Sequence, residues 1–148
     1  MTSTFTLVTL TDVAPERLFD ASLDIDAHVS SMSASSERAV AGTTSGLIGL
    51  GETVTWSARH FGIRFTMTSR ITTLERPSRF VDEQVRGPFR LFRHEHRIER
   101  LPSGRTAMTD TITLASPVFG SFAERLILVP YLRRLIAVRN RHLLDAAA

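Results

Sequence analysis

The stretch that decides the fold runs from Arg79 to Leu114, RFVDEQVRGPFRLFRHEHRIERLPSGRTAMTDTITL. Gly87-Pro88 and Pro102-Ser103-Gly104 cut it into segments of about eight to twelve residues, the spacing of antiparallel strands joined by turns. Between Phe89 and Arg100 the odd positions Arg93, Glu95, Arg97 and Glu99 alternate in charge. Such alternation marks a solvated outer face with cross-strand ion pairs. The even positions Arg90, Phe92, His94, His96 and Ile98 therefore look inward and carry two histidines. Across the turn, Met108, Asp110, Ile112 and Leu114 oppose Thr109, Thr111 and Thr113, which puts an acid on the apolar face. On the preceding strand Phe80, Asp82 and Gln84 oppose Val81, Glu83 and Val85, and parity alone leaves its direction open.

The same period of two extends upstream. Val54, Trp56, Ala58 and His60 share a face, Gly62 turns the chain, and Ile63, Phe65, Met67 and Ile71 continue on the return. Nearer the start, Thr4 to Leu10 reads as a strand. Asp12 and Pro15 lead into a short helix that buries Leu18 and Phe19, and a second short helix follows through Asp24–Val29. Gly46, Gly49 and Gly51 give a Gly-x-x-Gly-x-Gly spacing without the strand–loop–helix context of a nucleotide site, so they are read as a hairpin loop. Beyond Ser116-Pro117 the period changes to three and four: Phe119, Phe122, Leu126, Val129, Leu132, Leu135, Ile136 and Leu143. That pattern predicts an amphipathic helix of roughly 40 Å, kinked at Pro130 by the missing backbone donor.

The expected fold is thus α+β: a curved antiparallel sheet of six to seven strands, two short helices after the first strand, and a long kinked C-terminal helix. One domain over residues 1–148 accounts for the whole chain. One helix cannot cover so broad a sheet everywhere, which predicts a cavity between them. The expected lining is Trp56, Met67, Asp82, Gln84, Phe92, His94, His96, Asp110, Ile112, Phe122, Leu126 and Arg139.

Buried His94, His96 and Asp110 must be paired, hydrated or neutralised. Four readings remain open for them: a hydrogen-bonded network around water, a ligand-orienting site, a His-x-His metal site, and a general acid–base pair. With no cysteine and no second His-x-His pair, no metal is expected. Arg139 falls on the apolar stripe of the last helix, placed to reach an acid such as Asp110 or an anionic ligand group. His28 and His60, near turns, are expected to be solvated. Tyr131 is expected to pack on the helix with its hydroxyl at the surface. Gly120-Ser121-Phe122 lacks the flanking glycine of a serine-nucleophile elbow.

Composition narrows the classes further. There is no cysteine, and all 18 basic residues are arginine. Thiolate chemistry, disulfides, Schiff bases and the phosphate-binding lysine of P-loops are therefore excluded. The isoelectric point near 10.8 reflects a net charge of only +3, with almost nothing to titrate between neutral pH and arginine. No basic run with interleaved aromatics appears, so no nucleic acid is expected. Neither a leader pattern nor a span-length apolar run is seen, so a cytoplasmic protein without stable membrane insertion is expected. A monomer or homodimer with no cofactor completes the expectation.

Leu10-x-Asp12-x-x-Pro15-x-x-x-Phe19-Asp20, Phe80-Val81-Asp82-Glu83-Gln84-x-x-Gly87-Pro88-Phe89-x-x-Phe92-x-His94-x-His96-x-Ile98 and Thr106-x-Met108-x-Asp110 together resemble the START/polyketide-cyclase (SRPBCC, helix-grip) superfamily. Within it, the likeness is to a bacterial subgroup of cyclase/dehydrase-like ligand-binding proteins. Phe92 stands where that subgroup commonly has tryptophan, and Ile98 where phenylalanine is common. The resemblance implies a deep hydrophobic cavity for lipids, hormones or polyketides, and binding rather than catalysis in most members. Its cyclases use cavity arginine and tyrosine residues, whereas the single tyrosine here is Tyr131 on the last helix. The function expected is binding or carrying of a small hydrophobic molecule. The alternatives are a polyketide or aromatic cyclase–dehydratase using His94, His96 and Asp110 as acid and base, and a protein-interaction module.

Overall fold

Local sequence signals place each element of the computed structural model, which describes residues 2–116 and 124–148. The β-branched run at the start forms β1 (Ser3–Thr11). Pro15 then opens α1 (Pro15–Leu23), at a position where its missing N–H would have no helical partner. Asp24 separates α1 from α2 (Ile25–Ser31) and caps the latter, its carboxylate accepting from the N–H of Asp26 at 2.9 Å and of Ala27 at 3.2 Å. A short 3-10 turn leads to β2 (Arg38–Gly42), followed by β3 (Thr53–His60), β4 (Ile63–Glu75), β5 (Arg79–Arg86), β6 (Leu91–Arg100) and β7 (Thr106–Ala115). The chain ends in α3 (Val129–Ala147), entered through a π-helical turn at Glu124–Leu128.

The strands form one seven-stranded sheet in the order β1-β7-β6-β5-β4-β3-β2, antiparallel throughout. The glycine-rich segment is the β2–β3 connection. Gly42 begins it at φ +74, and a Cβ there would lie 2.2 Å from the carbonyl oxygen of Thr53. The outer face carries the expected ion pairs: Glu95 meets Arg79 at 2.9 Å, Arg97 at 3.6 Å and Arg93 at 3.9 Å. Register settles the direction of β5. Phe80 pairs with His96 and Asp82 with His94, so Asp82 faces inward with the histidines.

Two apolar clusters fill the concave side. Leu18, Phe19 and Leu23 of α1 pack on Ile71, Phe80, Ile98 and Met108. Leu128, Leu132 and Ile136 pack on Phe5, Phe92, Ile112 and Leu114. The two contacts grip the sheet at separate places and leave room between them.

The last helix differs from the expectation in phase. Pro130 lies in the first turn of α3, directly after the π turn. The 19 residues of α3 span about 28 Å at the standard rise. Phe119 and Phe122 lie outside the described residues. Leu126 and Ile127 lie within the π turn, whose wider winding takes them off the apolar stripe, and they are exposed, at 59% and 56%. Buried Glu124 anchors this turn, accepting from the Ser3 hydroxyl and the Ser116 N–H at 2.6 Å each.

Candidate functional site

Between the sheet and the helices lies a cavity of about 480 Å³, within the range of small-molecule sites. Its walls are mainly apolar, with Val54, Trp56, Met67, Ile71 and Phe92 from the strands and Leu132 and Ile136 from α3. A charged network closes its floor. Asp110 is fully buried and accepts from His94 Nε2 at 2.7 Å, Arg139 Nη2 at 3.0 Å and Asn140 Nδ2 at 2.8 Å. Asn140 Oδ1 in turn accepts from Arg139 Nε at 3.1 Å and Nη2 at 2.8 Å. The pairing brings β6, β7 and α3 together around one carboxylate.

His96 sits beside this network in a three-ring stack. Its ring lies 3.9 Å from Phe80 and 3.7 Å from His94. Nε2 contacts Asp82 Oδ2 at 2.8 Å, and Nδ1 lies 3.4 Å from Asp110 Oδ1. Among the described residues, Nδ1 itself makes no hydrogen bond.

The charge states follow from burial and neighbours. For Asp110, burial favours the neutral acid, but the Arg139 charge and the bonds from His94 and His96 outweigh it and hold the carboxyl well below the usual range. For Asp82, burial again opposes ionisation; the His96 bond and the positive charges of the floor more than offset it. Burial, aided by the His96 charge and only partly offset by Asp110, pushes His94 down to about 4. His94 is therefore a neutral imidazole that donates Nε2–H to an ionised Asp110.

The structure brings Trp56, Met67, Asp82, Phe92, His94, His96 and Arg139 to the cavity wall. It corrects four others. Asp110 stands behind His94 with no exposed surface, because Arg139 and Asn140 enclose it. Ile112 is fully buried in the core under α3. Gln84 turns toward the β5–β6 connection, donating to the Phe89 carbonyl at 2.7 Å and accepting from the Phe89 N–H at 3.2 Å. Leu126 is exposed through the phase shift of the π turn. Phe122 lies outside the described residues.

Asp82, His94 and His96 bring one donor atom each within 4.8 Å of one another, the one such group of three among the described residues. A transition ion needs lone pairs converging on a point about 2.0–2.2 Å from each. Here both Nε2 atoms are engaged by carboxylates, while His94 Nδ1 and His96 Nδ1 make no hydrogen bond among the described residues.

A second polar group at the cavity was missed in the sequence. His28, expected to be solvated, bonds Glu37 at 2.7 Å and packs against Trp56 with the ring centres 4.3 Å apart. His60, expected likewise, meets the Tyr131 hydroxyl at 2.6 Å, so that hydroxyl is not free at the surface. Burial lowers His60 despite the Glu37 charge, and burial followed by the same charge raises Tyr131. Proximity to turns misled because α2 and α3 fold over those turns. Ser69 was missed too. It is buried and lines the cavity, with its Oγ bonded to nothing.

No family model and no curated protein matches the sequence. Solved structures do match in shape. A Thermus thermophilus protein, TTHA0849, is 16% identical, with TM-score 0.76 over 99% of this chain and 100% of that one. Zhui aromatase/cyclase from a Streptomyces species is 15% identical, with TM-score 0.77 over 99% and 94%. Major latex-like protein 151 from Panax ginseng is 12% identical, with TM-score 0.71 over 99% and 98%. Among the described residues no helix is long and apolar enough to cross a membrane. The chain therefore has the helix-grip fold of these structures: a seven-stranded antiparallel sheet closed by a long C-terminal helix.

Proposed function

We propose that this protein binds a small, largely apolar molecule in the cavity, with the polar floor orienting it. One observation carries the reading: an apolar chamber of about 480 Å³ ends in polar groups already paired with one another, Asp110 held by Arg139, Asn140 and a neutral His94, and Asp82 by His96. Such a floor leaves hydrogen bonding as its means of selecting a ligand. The reading includes a monomer or homodimer in the cytoplasm, with no nucleic-acid partner.

The test is native mass spectrometry of protein purified from its own host, searching for a co-purifying small molecule, joined to quenching of Trp56 by a neutral naphthalene probe. Absence of both a bound molecule and any quenching would defeat the reading.

A specific feature supports catalysis as the second reading. A neutral imidazole held by a buried carboxylate is the arrangement of a general base, and one structural likeness is to an aromatase/cyclase. Recovery of the natural ligand chemically altered by the wild type, but not by His94→Gln, would favour that reading.

A further inference from the structure

Ser69 lies on β4 with Met67 and Ile71 on the same inward face. It is 3% exposed, lines the cavity, and its hydroxyl has no partner. Leaving a buried hydroxyl unpaired is costly, and alanine would fill the same space without that cost. Its direct partner across the strand pair, Gln84, turns away to Phe89. Ile71, two residues along, pairs with Asp82, which puts Asp82 on the diagonal from Ser69, within reach across one face of a strand pair. His94 pairs with Asp82 one strand further on. Asp82 commits one oxygen to His96, and His94 commits Nε2 to Asp110. Among the described residues, Asp82 Oδ1 and His94 Nδ1 make no hydrogen bond.

We propose that Ser69 is a specificity-determining residue: with Asp82 it forms a polar corner, next to His94, that receives the hydroxyl of an alcohol or phenol on an otherwise apolar ligand. The choice of a hydroxyl follows from donor and acceptor count. An ionised Asp82 and a neutral His94 donating through Nε2 offer only acceptors to the cavity, while Ser69 both donates and accepts. A hydroxyl gives its proton to the acceptors and takes one from Ser69. A carbonyl brings no proton for them. A carboxylate meets the Asp82 charge, and the Arg139 guanidinium already holds Asp110 and Asn140.

This inference rests on the proposed binding function, and three naphthalenes that differ at one position separate the two. Trp56, the single tryptophan, lines the cavity and reports binding of 2-methylnaphthalene, 2-naphthol and 2-naphthoate. An apolar cavity without the corner favours the methyl compound, which leaves water more readily. With the corner, the wild type should bind 2-naphthol about tenfold more tightly than 2-methylnaphthalene. Ser69→Ala should weaken 2-naphthol by about tenfold, about 1.4 kcal/mol, and leave 2-methylnaphthalene unchanged, which also shows that the variant is folded. Ser69→Cys, similar in size with a weaker donor, should fall between them. Equal response of both probes to Ser69→Ala, or tightest binding of 2-naphthoate, overturns the inference and spares the cavity. Failure of the wild type to bind any of the three overturns the binding function itself.

Discussion

Replacing Asp110 by asparagine keeps the shape of the floor and removes its central charge. Asp110 has no exposed surface and accepts from His94, Arg139 and Asn140 at 2.7–3.0 Å. The asparagine oxygen can accept from two of these donors, while its NH₂ must face the third, donor against donor. Arg139, 2% exposed, then keeps a buried charge without its carboxylate. Breaking a buried pair from one side costs about 3–5 kcal/mol, within a total stability of roughly 5–15 kcal/mol. With a urea dependence of about 2 kcal/mol per molar, the midpoint should fall by about 1.5–2.5 M while the protein still folds in water. Equilibrium unfolding followed by Trp56 fluorescence and by far-ultraviolet circular dichroism measures this directly. Adding Arg139→Met to Asp110→Asn should recover part of the loss, since the stranded cation goes with it. A midpoint shift below about 0.5 M, or no recovery in the double variant, would refute a charged Asp110–Arg139 core.

Acid should weaken the fold in two stages. His94 sits near 4 when folded against about 6.5 when unfolded, so the unfolded chain takes up a proton first. Stability should therefore fall by roughly 3 kcal/mol between pH 6.5 and 4, and His94→Gln should flatten that part of the urea-midpoint profile. Asp82 and Asp110 lie below their ordinary values; the stability they add is present above about pH 4 and should be lost as pH falls further. Gly42→Ala should lower the urea midpoint by the equivalent of about 2–3 kcal/mol, because φ +74 is strained for alanine and its Cβ meets the Thr53 carbonyl; an unchanged midpoint would contradict the β2–β3 geometry. Glu124→Ala should cost about 1–3 kcal/mol by removing the carboxylate that accepts from the Ser3 hydroxyl and the Ser116 N–H, with unchanged stability the contrary result in the same assay.

Strand identity and facing were determined by the sequence itself, since side chains on a strand alternate with a period of two and charge cannot sit on a buried face without a partner. Arg93, Glu95, Arg97 and Glu99 therefore pointed outward, and His94 and His96 inward, on parity alone. The helix-grip resemblance rested on the same segment. The direction of β5 was undetermined because both its faces mix apolar and polar residues; pairing Asp82 with His94 decided it. The depth of each site residue also belonged to tertiary structure. Asp110 and His94 share a parity, yet α3 brings Arg139 and Asn140 over Asp110 and removes it from the cavity while His94 stays on the wall. Leu126 kept its place in the apolar count but lost it in space, because the π turn shifts helical phase without altering composition. Ser69 left no mark in the sequence, and neither did the pairing of His28, His60 and Tyr131. Each becomes part of the site only when strands and helices far apart in the chain close around one space, and no periodicity along a single element records that meeting.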